Sequence, residues 1–267
     1  MTGTEIGIAD VAVIGGTGFY TFLEDPTDHL VDTPYGAPSA PVSVGTVAGR
    51  QVAFLPRHGR DHELPPHAIN YRANLWALRS LGVRQVLAPC AVGGLRHEVA
   101  PGDVVVPDQL VDRTHRRISS FVETGAVHLP FADPYCPAVS AAVAAADPGI
   151  KVGGTMVVIE GPRFSTRAES RHYAAQGWSL INMTGSPEAE LAREMRQCYT
   201  AIALVTDMDA GAEHGAGVDQ REVFALFRAN LERLTGLLTT AIGHLPDPTG
   251  CGCSTWADGL DLTYRIP

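Results

Sequence analysis

The sequence predicts an α/β protein in a single domain, on three observations. Residues 180–211 run from a short apolar stretch through a helical pattern into a second apolar stretch, with polar groups at the exit of each. An early apolar run, Val11 to Ile14, breaks directly into a glycine-rich turn, as first strands of open α/β sheets do. The 267 residues carry 45% apolar and 18% charged side chains, enough to bury a sizeable core in one large domain or two small ones. No internal repeat and no dividing linker interrupts them, which favours one domain over residues 1–267. From about Pro246 the tail lacks periodicity.

The stretch from Leu180 to Gly211 organises the rest. Its first apolar run ends in Asn182-Met183-Thr184, and its second, Ala201 to Val205, ends in Thr206-Asp207-Met208-Asp209. In parallel sheets the crossover helix packs on a face and ligands sit outside the carboxyl ends of the strands. Met183, Thr184, Asp207 and Asp209 are therefore expected along one rim, the floor of an active site. Core packing for Met183, and a solvated loop or helix cap for the two acids, fit the same residues. Two acids directly after an apolar strand favour the ligand reading. In the connecting helix Ser186 suits the N-cap and Pro187 the first turn. Glu188 and Glu190 follow, where the dipole favours acids. Leu191, Met195 and Cys198 make a stripe at i, i+4, i+7 that would face the sheet.

Taken in order, Met1 to Asp10 is a lead-in and Val11–Ile14 a strand, followed by Gly15-Gly16-Thr17-Gly18-Phe19-Tyr20. This turn nearly matches a dinucleotide fingerprint, but Thr21 stands at the third glycine position and Asp32 is ill-placed as the ribose-binding acid. It fits a phosphate or nucleoside cradle with Thr17 offering a hydroxyl. It equally fits an ordinary strand-ending turn. Glu24 to Val42 reads as a loop and Val52 to Leu55 as a strand. Next come Arg57, whose planar fork can bind two oxygens of an anion at once, and His58, His62, Glu63 and His67. Gly59, Pro65 and Pro66 argue against a helix that would align those histidines on a metal. Anion binding is favoured and no metal is expected.

His67 to Leu81 reads as a helix stopped by Gly82, and Gln85 to Ala88 as a strand. Small residues around Cys90, Ala91, Gly93 and Gly94 would let a planar ligand or an anion approach the backbone. Asp103–Val106 is a further strand, Asp108–Pro130 a long polar loop, and the alanine-rich run around Val143 a short helix. Gly154–Ile159 is a strand that leads to Phe164, which suits stacking on a flat base or a place in the core. Gly211–Gly217 is a glycine-rich loop. Asp219 with Glu222 resembles a capping box, and Val223 to Ile242 one long amphipathic helix.

Charge and composition exclude several classes. A net charge of −9 argues against a nucleic-acid surface, despite the small basic patch Arg113, His115, Arg116 and Arg117. No apolar run approaches the roughly 20 residues of a membrane span, and no secretory pattern opens the chain, so a cytoplasmic protein is expected. Of five cysteines, Cys90, Cys136 and Cys198 suit reduced core thiols. Cys251-Gly-Cys253 reads as two unpaired thiols, because a ring between them would be strained and no metal-binding partner lies close in sequence.

The ordered set IGGTGFY, PRHGRDH, NYRANLWAL, PGDVVVPDQLVDRT, IEGPRFSTRAES, NMTGSPEAELARE and VTDMD closely resembles the trimeric purine nucleoside phosphorylases. Within them it is similar to the S-methyl-5'-thioadenosine phosphorylase branch. The resemblance implies one domain with a mixed central sheet flanked by helices. It also implies cleavage of a purine nucleoside by inorganic phosphate, in purine salvage, without cofactor, metal or covalent intermediate. By position it places Thr17, Arg57, His58, Cys90, Ala91 and Thr184 around phosphate, and Met183 on the ribose. Phe164 and Gly93 would line the base pocket, with Ser165 and Val218 setting specificity and Asp207 and Asp209 facing the purine. His128 would reach the 5' substituent in a neighbouring subunit, which implies a homotrimer. Position 90 is commonly Ser or Thr in this family and is Cys here; Gly94 stands where Ser is common. A thiol is the weaker donor.

The chemistry divides between two ends. Phosphate below C1' stabilises an electron-poor sugar and then traps it, by positioning and electrostatics. The leaving base needs a proton or strong hydrogen bond at N7, which Asp207 would supply if enclosure and a second acid raise its pKa. In the family an Asp at this position goes with 6-aminopurines and Asn with 6-oxopurines, so adenine is expected. A phosphorylase of inosine, guanosine or methylthioinosine, a hydrolase using water, and a non-catalytic nucleoside-binding protein are the alternatives. Thr17, Arg57 and Thr184 together argue against the last two, neither of which needs phosphate.

Overall fold

The computed structural model describes residues 7–16, 22–210 and 217–267. The first strand, β1 (Val11–Gly15), lies between β4 (Arg50–Pro56) and β5 (Gln85–Gly94), parallel to both. Outside β4 run β3 (Val42–Val47) and β2 (Glu24–His29), each antiparallel to its neighbour. β5 also carries β11 (Cys198–Met208) in parallel along its whole length, and β10 (Leu180–Asn182) antiparallel at its last two residues. β9 (Thr155–Ile159) and β7 (Gln109–Arg113) continue from β10, while β6 (Val104–Val106) and β8 (Lys151–Val152) continue from β11. Among the described residues these eleven strands form one mixed sheet.

Helices cover both faces, and the strands show why. Along β1, Ala12 and Ile14 join one buried cluster while Val11 and Val13 join the other. β4 splits in the same way, with Ala53 and Leu55 against Val52 and Phe54. Period-two alternation between two apolar faces makes each strand read as a continuous apolar run. The first face is covered by α1 (Tyr71–Ser80) and α4 (Gly185–Glu194), through Leu75, Leu78, Leu191 and Ala192, with Met195 just beyond α4. The second is covered by α2 (Pro137–Ala146) and α6 (Leu231–Gly243), through Val139, Val143, Leu234 and Leu238. Each such Leu or Val stabilises the fold by about 1.5–3 kcal/mol relative to an exposed position.

Several expectations are corrected. Glu24–His29 is an edge strand rather than loop: its Pro26 falls within a register shift, where a missing donor breaks no ladder bond. The polar stretch after Asp108 begins with β7, whose exposed face hides its pairing with β9. Cys198 does not belong to the helical stripe; α4 ends at Glu194 and Cys198 opens β11. α4 is not the crossover of a parallel pair, since β10 and β11 oppose each other in direction across β5. Ser186 takes extended angles (φ −110°, ψ 134°), but its hydroxyl bonds Glu190 Oε1 at 2.7 Å instead of capping the helix. The long final helix is two, α5 (Gln220–Ala229) and α6, broken at Asn230. α3 (Arg167–Ala175), not foreseen, carries a full capping box between Thr166 and Glu169. Asp219 caps α5 by accepting the Arg221 N–H at 2.8 Å.

The unpatterned tail is docked. Trp256 Nε1 donates to Arg193 O at 2.7 Å and Tyr264 Oη to Glu194 O at 2.8 Å, closing the C-terminal end of α4. Among the described residues no helix is long and apolar enough to cross a membrane.

Candidate active site

A cleft of about 440 Å³ opens where β1, β4, β5, β10 and β11 end. Gly16, Arg57, His58, Cys90, Ala91 and Thr184 line it, as do Met183, Gly93, Asp207, Asp209, Phe164 and Ser165. Met183, Thr184, Asp207 and Asp209, expected along one rim, all line this cleft, although an antiparallel junction builds it. Cys90 and Gly93 lie three residues apart on β5, so the anion-facing and acid-facing ends are about 10 Å apart.

Arg57 is almost wholly buried. Its Nε and Nη2 bond the two carboxylate oxygens of Glu188 at 2.6 and 2.9 Å, Nη2 also reaches Ile14 O at 3.0 Å, and Nη1 reaches Pro89 O at 3.2 Å. The two-pronged face expected to grip an anion is thus taken by Glu188. One N–H of Nη1 remains beyond these bonds, since a guanidinium has five donors. Burial works against the charge, and Glu188 outweighs it, so Arg57 stays cationic with a pKa above its ordinary value. Tyr199 Oη, buried, adds a third bond to Glu188 at 2.9 Å.

His58 Nδ1 lies 2.8 Å from Leu64 O and donates to it, leaving Nε2 as an acceptor. Burial, then the Arg57 charge, push its pKa down to about 4, so the ring is neutral above that. Its ring stacks on His62 at 4.6 Å, and His62 meets Phe224 of α5 edge-on at 5.5 Å. Burial pushes the Cys90 thiol up to about 12, with Arg57 opposing, so it is a neutral weak donor.

Asn182, the last residue of β10, shapes the next turn. Its Oδ1 accepts from the Thr184 and Gly185 N–H groups, both at 2.7 Å, and its Nδ2 donates to Ala91 O at 3.1 Å. This ties the Thr184 backbone to β5 beside Cys90. A register shift in β11 between Val205 and Asp207 leaves Thr206 as the extra residue and re-aims the chain beyond it.

Burial raises the Asp207 carboxyl to about 6; the Thr206 hydroxyl opposes this and the Asp209 charge adds to it. Thr206 Oγ1 lies 2.8 Å from Asp207 Oδ2 and 3.2 Å from Val92 O. It has one hydrogen, so it serves an ionised Asp207 or, giving that hydrogen to Val92, accepts from a protonated one. Burial also raises Asp209. Its Oδ2 and Ser165 Oγ are buried without a hydrogen-bond partner, and both residues line the cleft. A Cβ at Gly93 would meet Ile181 Cγ2 at 2.9 Å and Asp207 Oδ1 at 3.1 Å, so the backbone there must be bare.

The sequence profile of the phosphorylase superfamily matches residues 10–243. The chain belongs to that superfamily. It is 55% identical to the purine nucleoside phosphorylase of Streptomyces coelicolor, with 97% of this chain and 98% of the relative aligned. It is also 55% identical to the S-methyl-5'-thioadenosine phosphorylase of Mycolicibacterium smegmatis, over 96% and 99%. Its fold is similar to the crystal structure of a methylthioadenosine phosphorylase from an antarctic soil metagenomic library, with a TM-score of 0.86, 38% identity, and 93% and 91% of the two chains covered.

Among the described residues, two expected site residues of this phosphorylase-superfamily chain, Val218 and His128, do not line the cleft. Thr17 lies outside the described residues, although Gly16 before it lines the pocket. Val218 is half-buried away from the cleft, and Gln220, Val223, Phe224 and Phe227 of the next helix line it instead. The capping signal at Asp219 placed α5 correctly, but only packing shows which of its turns faces the pocket. His128 is exposed and does not line its own chain's cleft. Sequence reasoning missed Glu188 and Asn182 as site residues. Glu188 reads as a dipole-compensating acid, and only its burial beside Arg57 reveals the pairing.

Proposed function

We propose that the chain splits S-methyl-5'-thioadenosine with inorganic phosphate, giving adenine and 5-methylthioribose 1-phosphate, with phosphate as co-substrate and no cofactor. The observation that carries this is one cleft with a fixed cation and anion-accommodating backbone at one end and two raised carboxyls at the other. Phosphate would sit by Nη1 of Arg57, the Thr184 hydroxyl, Cys90 and Ala91, and the resemblance assigns Thr17 to the same anion. Neutral His58 offers Nε2 to the P–OH that hydrogen phosphate still carries. Met183 would pack on the ribose, holding C1' over the attacking oxygen, so positioning and charge do most of the work.

As the glycosidic bond breaks, electrons flow to the purine. Asp207 meets them with a proton or a short hydrogen bond at N7. Free, it titrates at about 6; a purine covering it deepens the burial that raises it. Asp209 Oδ2 and Ser165 Oγ, the unpaired polar atoms, would take donors and acceptors of an aminopurine edge. Phe164 would cover its face. His128 would complete the 5' pocket of a neighbouring subunit in a homotrimer; it is exposed, as is the apolar side chain of Ile118 ten residues before it. Five free cysteines fit a reducing cytoplasm.

The Streptomyces coelicolor relative is named a purine nucleoside phosphorylase, so inosine and guanosine are the alternative substrates to be set against methylthioadenosine in a second reading. Base release from methylthioadenosine, methylthioinosine, adenosine, inosine and guanosine, each with and without phosphate, separates the readings. Phosphate-dependent adenine release from methylthioadenosine as the fastest reaction is expected. Preference for inosine establishes the second reading, and phosphate-independent release overturns both.

A further inference from the structure

β11 has a second end. Its last residues carry Asp207; its first is Cys198, and around Cys198 the fold gathers Cys136, Cys251 and Cys253. We infer that these four sulfurs bind one divalent cation of the zinc class, which fastens the C-terminal segment to the sheet. The site lies outside the cleft described above and does not depend on the proposed reaction.

The four sulfurs lie close enough together for one ion to reach all of them. All four sulfurs lie within 4.8 Å of one another, and Cys198 Sγ and Cys251 Sγ are 3.2 Å apart. Four thiolates at about 2.3 Å from zinc place neighbouring sulfurs about 3.8 Å apart. Two disulfides would instead draw the sulfurs into bonded pairs at about 2.05 Å. Here none is bonded: all five cysteines are free.

The ligands come from two sources. Cys136 and Cys198 belong to the core: Cys136 N–H donates to Tyr199 O at 2.8 Å, which fixes the approach to α2 against the start of β11. Cys251 and Cys253 come from the tail, just after a 3-10 turn, Pro248–Gly250. Cys136, Cys198 and Cys253 are buried and Cys251 is half-buried. Four thiolates leave a bound divalent cation with a net charge of about −2, which needs nearby donors. Cys136 is the N-cap of α2, whose N-terminal end favours negative charge. Arg193, at the end of α4, acts on Cys253 from the other side. Binding displaces the thiol protons to solvent and involves no change of oxidation state. With four protein ligands no position is open to substrate, so the centre is structural. It would anchor the segment whose Trp256 and Tyr264 close α4.

The test begins with the full chain, purified without chelator and analysed for metal. About one zinc per chain is expected, falling near zero in the Cys251→Ser/Cys253→Ser double variant. Cobalt(II) is then titrated into the metal-free, reduced wild type. The thiolate-to-cobalt charge-transfer band and the visible bands of tetrahedral cobalt should grow to saturation at one equivalent. This signature needs no variant, so it decides the matter even if the double variant fails to fold. Stripping the metal should lower the melting temperature of the wild type and leave that of the double variant unchanged. Five titratable thiols in the denatured, metal-free chain are expected. No cobalt spectrum, or metal content equal to that of the double variant, or thiols lost to disulfides in the purified chain, would each overturn the assignment.

Discussion

Replacing Glu188 with Gln should weaken the protein and its grip on phosphate together. Glu188 is fully buried and accepts three bonds, from Arg57 Nε at 2.6 Å, Arg57 Nη2 at 2.9 Å and Tyr199 Oη at 2.9 Å. Gln keeps the size, removes the charge and turns one acceptor into a donor that faces Arg57. A charge-assisted bond is worth about 1.5–3 kcal/mol, and removing one partner of a buried ion pair costs about 3–5 kcal/mol. The loss should therefore be about 3–5 kcal/mol, against a total stability of about 5–15 kcal/mol, which leaves a folded fraction to assay. With its fork no longer held, Arg57 loses the orientation of Nη1. The KM for phosphate should rise at least ~10-fold, or about 1.4 kcal/mol, while the KM for nucleoside changes little. Tyr199→Phe is the comparison: it removes one bond, costs about 1 kcal/mol, and leaves both Arg57–Glu188 contacts. Urea unfolding and initial rates against phosphate at saturating nucleoside read both quantities. An E188Q protein within ~1 kcal/mol of wild type with unchanged phosphate KM would refute the idea that Glu188 positions Arg57.

Three further outcomes follow from the cleft. Asp207 must be protonated to act as an acid, and its free-state value is about 6. Its contribution to kcat/KM for nucleoside is therefore full below that value and lost as pH rises through it; Asp207→Asn should abolish that limb, lower methylthioadenosine turnover and relatively favour methylthioinosine. A retained limb and unchanged preference would remove Asp207 from both roles. Cys90→Ser exchanges a buried neutral thiol for a better donor, and should lower the phosphate KM by about 2- to 10-fold, matching about 0.5–1.5 kcal/mol for one hydrogen bond; an unchanged or higher KM shows that position 90 does not donate to phosphate. Gly93→Ala would press a methyl onto Ile181 and Asp207 Oδ1, so activity should fall by roughly 10-fold or more while stability drops by about 1–3 kcal/mol; full activity would mean that the β5 backbone does not set the acid's place.

Much of the cleft is legible because its residues follow apolar strands. Arg57, Met183, Thr184 and Asp207 each stand at or just beyond the end of a buried run, and chain ends of that kind converge in an α/β sheet; Cys90 and Gly93 lie within the last half of β5. What hides is pairing across distance. Glu188 is separated from Arg57 by 131 residues, and nothing local distinguishes it from a solvated acid in a first helical turn. The edge strand Glu24–His29 hides for another reason: its side chains are exposed, so only its backbone bonds to β3 identify it.

By itself the sequence determined the α/β class, the strands that build the rim and most side chains that face it. Apolar periodicity and strand-end chemistry are local properties. Only the tertiary structure decided which acid holds Arg57, which turn of α5 closes the cleft, and that the unpatterned Cys-Gly-Cys tail meets Cys136 and Cys198. Those are contacts between segments far apart along the chain, and their geometry depends on how the layers pack.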